Sequence, residues 1–229
     1  MTAVRIDARY CGPPDSANGG YFAGLVAREL GGTDVVVTLR RPAPLDRDLR
    51  IERDGEIAAL FDGEEQLAVA TRAPIDIVVP PPPSFAEARD AEARYVGLKH
   101  HIYPGCFVCG PARPPGDGWR IFAGPTGPDQ VAATWTADPE FADESGMLRP
   151  EFLWAALDCP GYFAVRAAAG KALLGRIGVR RSQAVPCGEP LIVTGWAMGS
   201  EGRKHRAGTA LFDREGQLLA AAAQTWITL

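Results

Sequence analysis

Ala59-Leu60-Phe61-Asp62 is the stretch that decides the fold, because the chain repeats it as Ala210-Leu211-Phe212-Asp213. The two copies lie 151 positions apart, and Gln66-Leu67 recurs at the same distance as Gln217-Leu218. Matches that keep the same order along the chain indicate that one structural unit occurs twice.

Each copy belongs to a helical pattern followed by a run of strands. Helices are predicted at 19–32 (GGYFAGLVARELGG) and at 150–170, where the sequence is apolar on most sides. Alternating or continuous apolar runs between turn signals predict the strands, at 34–41, 48–53, 56–62 and 65–72 in the first half and at 172–181, 189–198, 205–213 and 217–228 in the second. A helix followed by antiparallel strands indicates the α+β class, with the helix packed on one sheet face.

A proline run separates the halves. Residues 80–83 are PPPP, which fixes an extended backbone. Residues 84–101 then have helical spacing, and Ser84 with Glu87 forms a capping-box pattern. We therefore predict a first unit at 1–79, a proline-rich linker and connecting helix at 80–104, and a second unit at 105–229. An edge loop within one domain is the alternative interpretation of this segment.

The composition is that of a globular protein, with 229 residues, 46% hydrophobic and 23% charged. A formal charge of −4 argues against a nucleic-acid-coating surface. No run approaches the ~18 apolar residues of a membrane span, and the first residues show no signal-peptide pattern. We therefore expect a cytoplasmic protein without a nucleic-acid or membrane partner. Five cysteines are too few for a disulfide scaffold and indicate reduced thiols.

Three segments resemble the tandem, or double, hotdog fold in its acyl-CoA thioesterase-like branch. Asn18-Gly19-Gly20 resembles the start of the central helix, and residues 105–121 (GCFVCGP followed by GDGWRI) resemble the opening strand. Residues 201–204 with 209–227 resemble the terminal hairpin. The resemblance implies an α+β double hotdog, in which two tandem helix-plus-antiparallel-sheet units form one continuous curved sheet around two central helices. It also implies a small-molecule acyl thioester, with coenzyme A as part of the substrate and no separate cofactor. Assembly of tandem units into a homo-oligomer is left open.

The candidate site begins at the start of the first helix. Thioester hydrolysis requires donors for the developing oxyanion, and a helix N-terminus supplies free N–H groups. Asn18 is predicted as the cap and as a side-chain donor, and the Gly20 or Tyr21 N–H as the donor to the thioester carbonyl. Gly19 allows close approach of the substrate. A capped helix whose glycines serve only tight packing is the alternative.

The second half is predicted to supply the carboxylate. Superposing Gly19-Gly20-Tyr21 on Pro150-Glu151-Phe152 sets Ala27 on Asp158, so that one half carries the glycines and the other the acid. In hotdog pairs the two helices lie side by side, which would bring Asp158 to the helix tip. We predict that Asp158 activates water or attacks the acyl carbon. A carboxylate bonded to the backbone near Pro160 is the alternative.

Substrate contacts are predicted on both sides of this site. Phe22 and Trp154, with Tyr21 and Phe163, would form an apolar wall for the acyl chain, or else plain core. Arg203 and Lys204, in the cluster RKHR at 203–206, would hold the phosphates of coenzyme A. A solvated hairpin tip would account for the same cluster.

Cys106-Phe107-Val108-Cys109, preceded by His100 and His101, raises the question of zinc. Because the sequence shows no second paired-ligand motif, we predict no metal and interpret this segment as a turn with buried thiols. Zinc remains the alternative. Cys159 is assigned no role.

Other hydrolase and lyase chemistries are disfavoured. The chain contains no G-x-S-x-G motif, and neither central helix contains the histidine that the hydratase branch of the resemblance would need. The sequence therefore predicts an acyl-CoA thioesterase. A non-catalytic hotdog protein that binds acyl-CoA or a lipid-like ligand is the alternative.

Overall fold

The computed structural model describes residues 1–229 and contains four α-helices and eleven strands. The helices are α1 (Gly19–Leu30), α2 (Phe85–Glu92), α3 (Pro150–Ala156) and α4 (Cys159–Ala169). The strands of the first half are β1 (Thr2–Arg5), β2 (Asp34–Leu39), β3 (Asp48–Asp54), β4 (Ile57–Asp62) and β5 (Glu65–Arg72). Those of the second half are β6 (Gly124–Gly127), β7 (Gln130–Thr136), β8 (Ala172–Arg181), β9 (Pro190–Glu201), β10 (Lys204–Asp213) and β11 (Leu218–Thr228).

All the strands form one antiparallel sheet in the order β1-β3-β4-β5-β2-β8-β11-β10-β9-β7-β6. From the middle outward, β2-β5-β4-β3 in one half mirrors β8-β11-β10-β9 in the other. The halves join where β2 pairs with β8, with Val37 opposite Ile177. Both side chains are fully buried, so the junction is part of the core. The predicted α+β class and continuous sheet are confirmed.

The repeated Ala-Leu-Phe-Asp segment has the same local geometry in both halves. In β4 the register with β5 shifts between Leu60 and Phe61. In β10 the register with β11 shifts between Leu211 and Phe212. A bulge adds a residue to one strand and increases its twist. The sequence repeat therefore corresponds to a repeated bend of the sheet.

Helices α1 and α3 run in opposite directions and contact one another backbone to backbone. A Cβ at Gly20 would lie 2.4 Å from the carbonyl oxygen of Trp154, and one at Gly24 would lie 2.5 Å from the Cα of Glu151. No residue larger than glycine fits these two positions without moving a helix. Farther along, Arg28 Nη1 and the buried Glu151 Oε1 form an ion pair at 3.1 Å.

The segment after the prolines is helical for only part of its predicted length. Ser84 and Glu87 form the predicted capping box. Helix α2 ends at Glu92, and a single 3-10 turn follows at Val96–Leu98. Glu92 accepts hydrogen bonds from the Thr134 N–H at 2.8 Å and from the Thr134 hydroxyl. This contact fixes the end of α2 against β7.

Residues 105–123 form irregular structure, so the opening strand that the resemblance implied there is wrong. The apolar side chains that suggested a strand are buried in a folded loop, including Phe107, Val108 and Ile121. Backbone bonds within the loop, such as Ile121 N–H to Val108 O at 2.9 Å, replace sheet pairing. The second half of the sheet begins later, at Gly124.

The longest helix, α1, has 12 residues. No helix of the chain is both long enough and apolar enough to cross a membrane.

Candidate active site

Asn18 caps the start of α1. Its Oδ1 accepts a hydrogen bond from the Tyr21 N–H at 2.9 Å, as expected for a residue at this position. The next residue, Gly19, donates its N–H to no backbone carbonyl and is half-buried. Gly19 therefore presents a free donor at the positive end of the helix.

Asp158 lies at a break between α3 and α4. Pro160 has no N–H, so the backbone ladder cannot continue through this point. The freed carbonyls are bonded by side chains of the sheet: Thr209 Oγ1 donates to the Leu157 carbonyl at 2.7 Å, and Gln224 Nε2 donates to the Leu157 and Asp158 carbonyls. The predicted single helix over 150–170 is thus two helices, and the sheet holds the residue between them.

The Asp158 carboxylate faces the tip of α1. The Gly20 N–H donates to Asp158 Oδ2 at 2.9 Å, whereas Oδ1 is buried and has no hydrogen-bond partner. Burial raises the pKa of Asp158 to about 7, and the hydrogen bond from Gly20 offsets part of that effect. The sequence prediction that the lone acid of one half meets the glycine tip of the other agrees with this geometry.

The two predicted oxyanion donors are already occupied. The Gly20 N–H is bonded to Asp158 and the Tyr21 N–H to Asn18. The assignment of Gly20 or Tyr21 as donor is therefore corrected, and Gly19 carries the free N–H. Sequence reasoning could not separate these neighbours, because the difference depends on a carboxylate 138 residues away.

A small cavity of about 60 Å³ lies beside Asp158. Asn18, Gly19, Tyr162 and Phe163 contribute to its wall, together with three cysteines and His101. A wider groove of about 400 Å³ adjoins it, and Pro13, Gly19 and Leu173 line both spaces. A ligand lying in the groove would therefore pass Gly19 to reach Asp158.

The predicted apolar wall is not formed as a unit. Phe22 lines the wider groove, and Phe163 lines the cavity of Asp158. Tyr21 instead stacks on Tyr10, with ring centroids 4.4 Å apart, in the core. Trp154 lines a separate cavity of about 90 Å³, which lies between the end of α1 and the start of α3. Tyr21 and Trp154 are thus removed from the predicted acyl site, because neighbouring positions on a helix point in different directions.

The groove is basic, but only one of its cations was predicted. Arg203 lines it, and its Nε donates to the Thr228 carbonyl at 2.9 Å. Lys204 is exposed on β10 and does not line the groove, which corrects its predicted role. Arg40 and Arg41, directly after β2, are the other two cations, and Arg41 Nε forms an ion pair with Glu65 Oε1 at 3.0 Å. The signal for them in the sequence is the Arg-Arg pair that ends the segment VVVTLRR at 35–41.

Three of the five cysteines meet in the small cavity. Cys106, Cys109 and Cys159 are all buried, and their sulfur atoms lie within 4.8 Å of one another. Sequence reasoning paired the first two and missed Cys159, because its approach to them depends on the break between α3 and α4. His101 Nε2 lies 3.3 Å from Cys109 Sγ.

Solved structures match this architecture along nearly the whole chain. A candidate thioesterase from Novosphingobium aromaticivorans superposes with a TM-score of 0.67 at 13% identity, over 99% of this chain and 94% of the other. A TesB protein from Mycobacterium avium gives 0.64 at 15% identity, over 99% and 92%. A protein with a hot dog fold from Alicyclobacillus acidocaldarius gives 0.61 at 16% identity, over 99% and 92%. The chain has a double hotdog fold. No family model and no curated protein matches the sequence.

The two halves of this double hotdog differ at the related positions. Ala27 corresponds to Asp158, and Pro150 corresponds to Gly19. Ala27 and Pro150 line the separate cavity of about 90 Å³, which Trp154 also lines. The cavity beside Trp154 lacks a carboxylate at the position of Asp158 and a glycine at the position of Gly19. The double hotdog therefore places a carboxylate against a glycine at a helix start in only one of its two halves.

Proposed function

We propose that the protein is an acyl-CoA thioesterase whose reacting carboxylate is Asp158. The observation that carries the proposal is the hydrogen bonding of the two carboxylate oxygens of Asp158. Oδ2 is fixed by the Gly20 N–H, and Oδ1 is buried without a partner. A buried carboxylate oxygen without a hydrogen bond is costly to the fold, which is expected where a ligand or water completes the site.

The charge and shape of the groove suit the coenzyme A part of an acyl-CoA substrate. Arg40 and Arg203 offer guanidinium groups that suit phosphate oxygens, whereas the Arg41 guanidinium is paired with Glu65. Gly19 lies between the groove and the cavity, where the absence of a side chain allows close approach of a narrow thioester arm. Coenzyme A would therefore lie with its phosphates in the groove and its acyl group toward Asp158.

The cleavage step follows from this placement. The free Gly19 N–H donates to the thioester oxygen as negative charge develops there. Asp158 Oδ1 accepts a proton from a water molecule, whose oxygen adds to the acyl carbon. The carbon–sulfur bond then breaks, and the proton passes to the leaving thiolate. The cavity of about 60 Å³ exceeds the roughly 10–15 Å³ that one water needs.

The test is hydrolysis of a panel of acyl-CoA substrates by an Asp158→Asn variant. The amide keeps the shape of the side chain but cannot take a proton from water. We expect kcat to fall by about 10²-fold or more, within the range typical of acid–base groups. Glu151→Gln is the matched control, since it neutralises another buried carboxylate near the same helix contact. Unchanged turnover in a folded Asp158→Asn protein contradicts the proposal.

One observation favours a second candidate, a non-catalytic binder of acyl-CoA. The Gly20 N–H at the helix tip is already bonded to Asp158, which leaves fewer donors for an oxyanion than a free tip would have. Calorimetric binding measured beside turnover separates the two candidates. Saturable binding of acyl-CoA with no release of free thiol in the parent protein would favour the binder.

A further inference from the structure

The three sulfur atoms in the small cavity have the spacing of metal ligands. Thiolates at about 2.3 Å from a tetrahedral zinc ion lie about 3.8 Å from one another. Cys106 Sγ and Cys159 Sγ are 3.8 Å apart, and Cys109 Sγ completes a triangle in which no separation exceeds 4.8 Å. A small movement of side chains would bring all three to a common ion.

The segment that carries two of these cysteines is folded as a tight turn. Gly110 N–H donates to the Cys106 carbonyl at 2.9 Å. A Cβ at Gly110 would lie 2.5 Å from the Cys106 carbonyl oxygen, so glycine is required after the second cysteine. This turn brings the Cys106 and Cys109 side chains to the wall of the same small cavity.

Side-chain nitrogen atoms approach all three sulfurs. The amide nitrogen of the buried Asn18 lies 4.0 Å from Cys106 Sγ and 3.8 Å from Cys159 Sγ. His101 Nδ1 accepts a hydrogen bond from the Tyr103 N–H at 3.0 Å. The proton of the neutral imidazole is then on Nε2, which faces Cys109 Sγ. Donors that bond ligand atoms from outside are typical of metal sites.

We propose that Cys106, Cys109 and Cys159 bind one zinc ion through their thiolates. Each thiol loses its proton on binding, so that three thiolates hold a divalent cation. His101 is assigned as a donor to the Cys109 sulfur and not as a ligand. The three cysteines line the small cavity together with Asn18 and Asp158.

The ion would join two parts of the chain that lie outside the strands of the sheet. Cys106 and Cys109 belong to the irregular segment 105–123, and Cys159 is the first residue of α4. A bond from each part to one ion would fasten that loop to the helix break that holds Asp158. The proposal concerns metal binding and stands or falls separately from thioester hydrolysis.

The test measures metal content and the cobalt spectrum of the full-length chain. Protein produced in zinc-supplemented medium is expected to contain close to one zinc per chain. After chelation, Co²⁺ should produce the intense charge-transfer absorption of cobalt–thiolate bonds. Cys159→Ser and Cys106→Ser should lose most of the zinc and weaken this absorption.

Two matched variants keep the result interpretable. Cys187→Ser removes a thiol outside the cluster and should keep the full metal content. His101→Ala should still bind one ion, with affinity reduced by about 10- to 100-fold, as is usual for an outer donor. A folded parent protein without zinc and without a cobalt–thiolate spectrum would overturn the proposal. A disulfide between Cys106 and Cys159 in the freshly purified parent would overturn it as well.

Discussion

Replacing Gly20 with alanine should separate the two central helices and displace Asp158. The new Cβ would lie 2.4 Å from the Trp154 carbonyl oxygen and 2.7 Å from Asp158 Cβ. Ordinary contacts of such atoms begin near 3.5 Å, so the helices must move apart by about 1 Å. The clashing atoms belong to the backbone or to Cβ, and therefore no rotamer change can relieve the contact.

The expected cost in stability follows from two opposing effects. Overpacking a well-packed site typically costs about 1–3 kcal/mol, while replacing glycine by alanine within a helix regains up to ~1 kcal/mol. We expect a net loss of about 1–2 kcal/mol. For a chain of this size, each kcal/mol lowers Tm by roughly 2–4 °C. The hydrolysis rate should fall further, since a displacement of about 1 Å at a catalytic group can cost ~10²-fold.

Calorimetry and acyl-CoA hydrolysis measure the two effects separately. Gly24→Ala is the matched control, because its Cβ would meet the Glu151 backbone at 2.5 Å, one turn of α1 away from Gly20. It should lose similar stability but less activity. Gly105→Ala, whose Cβ would have no atom within 4 Å, should change neither. A Gly20→Ala protein with the Tm and turnover of the parent would refute the argument.

Two further predictions concern the groove and the helix break. Arg40→Ala or Arg203→Ala should raise KM for acyl-CoA roughly 2- to 5-fold with little change in kcat, because an exposed cation contributes up to about 1 kcal/mol. The exposed Arg206→Ala is the control, and an acyl-pantetheine, which lacks the nucleotide phosphates, should respond to none of these variants; equal effects on both substrates would contradict the phosphate assignment. Thr209→Val should lower the free energy of unfolding by about 1 kcal/mol, because it removes the hydroxyl that donates to the Leu157 carbonyl at 2.7 Å. Urea unfolding measures this change, and a variant as stable as the parent would show that the hydroxyl does not support the break.

The sequence was most informative where local pattern and repetition agree. Strands β5 and β8 begin and end at the predicted residues, because apolar alternation and turn residues act within a few positions of one another. Comparing the halves also singled out Asp158 as the acid without a counterpart. Segment 105–123 was misinterpreted, since buried apolar residues such as Phe107 look alike in a strand and in a packed loop.

The sequence by itself determined the repeated unit, the helix and strand segments, and the half that holds the acid, because these depend on neighbouring residues and on the repeat. Only the tertiary structure decided that the Gly20 N–H is bonded to Asp158 while the Gly19 N–H is left free. It also decided that Cys159 joins Cys106 and Cys109, and that Arg40 faces the same groove as Arg203. These relations join residues far apart in the chain. They arise from the antiparallel contact of α1 with α3 and from the pairing of β2 with β8, which no local pattern encodes.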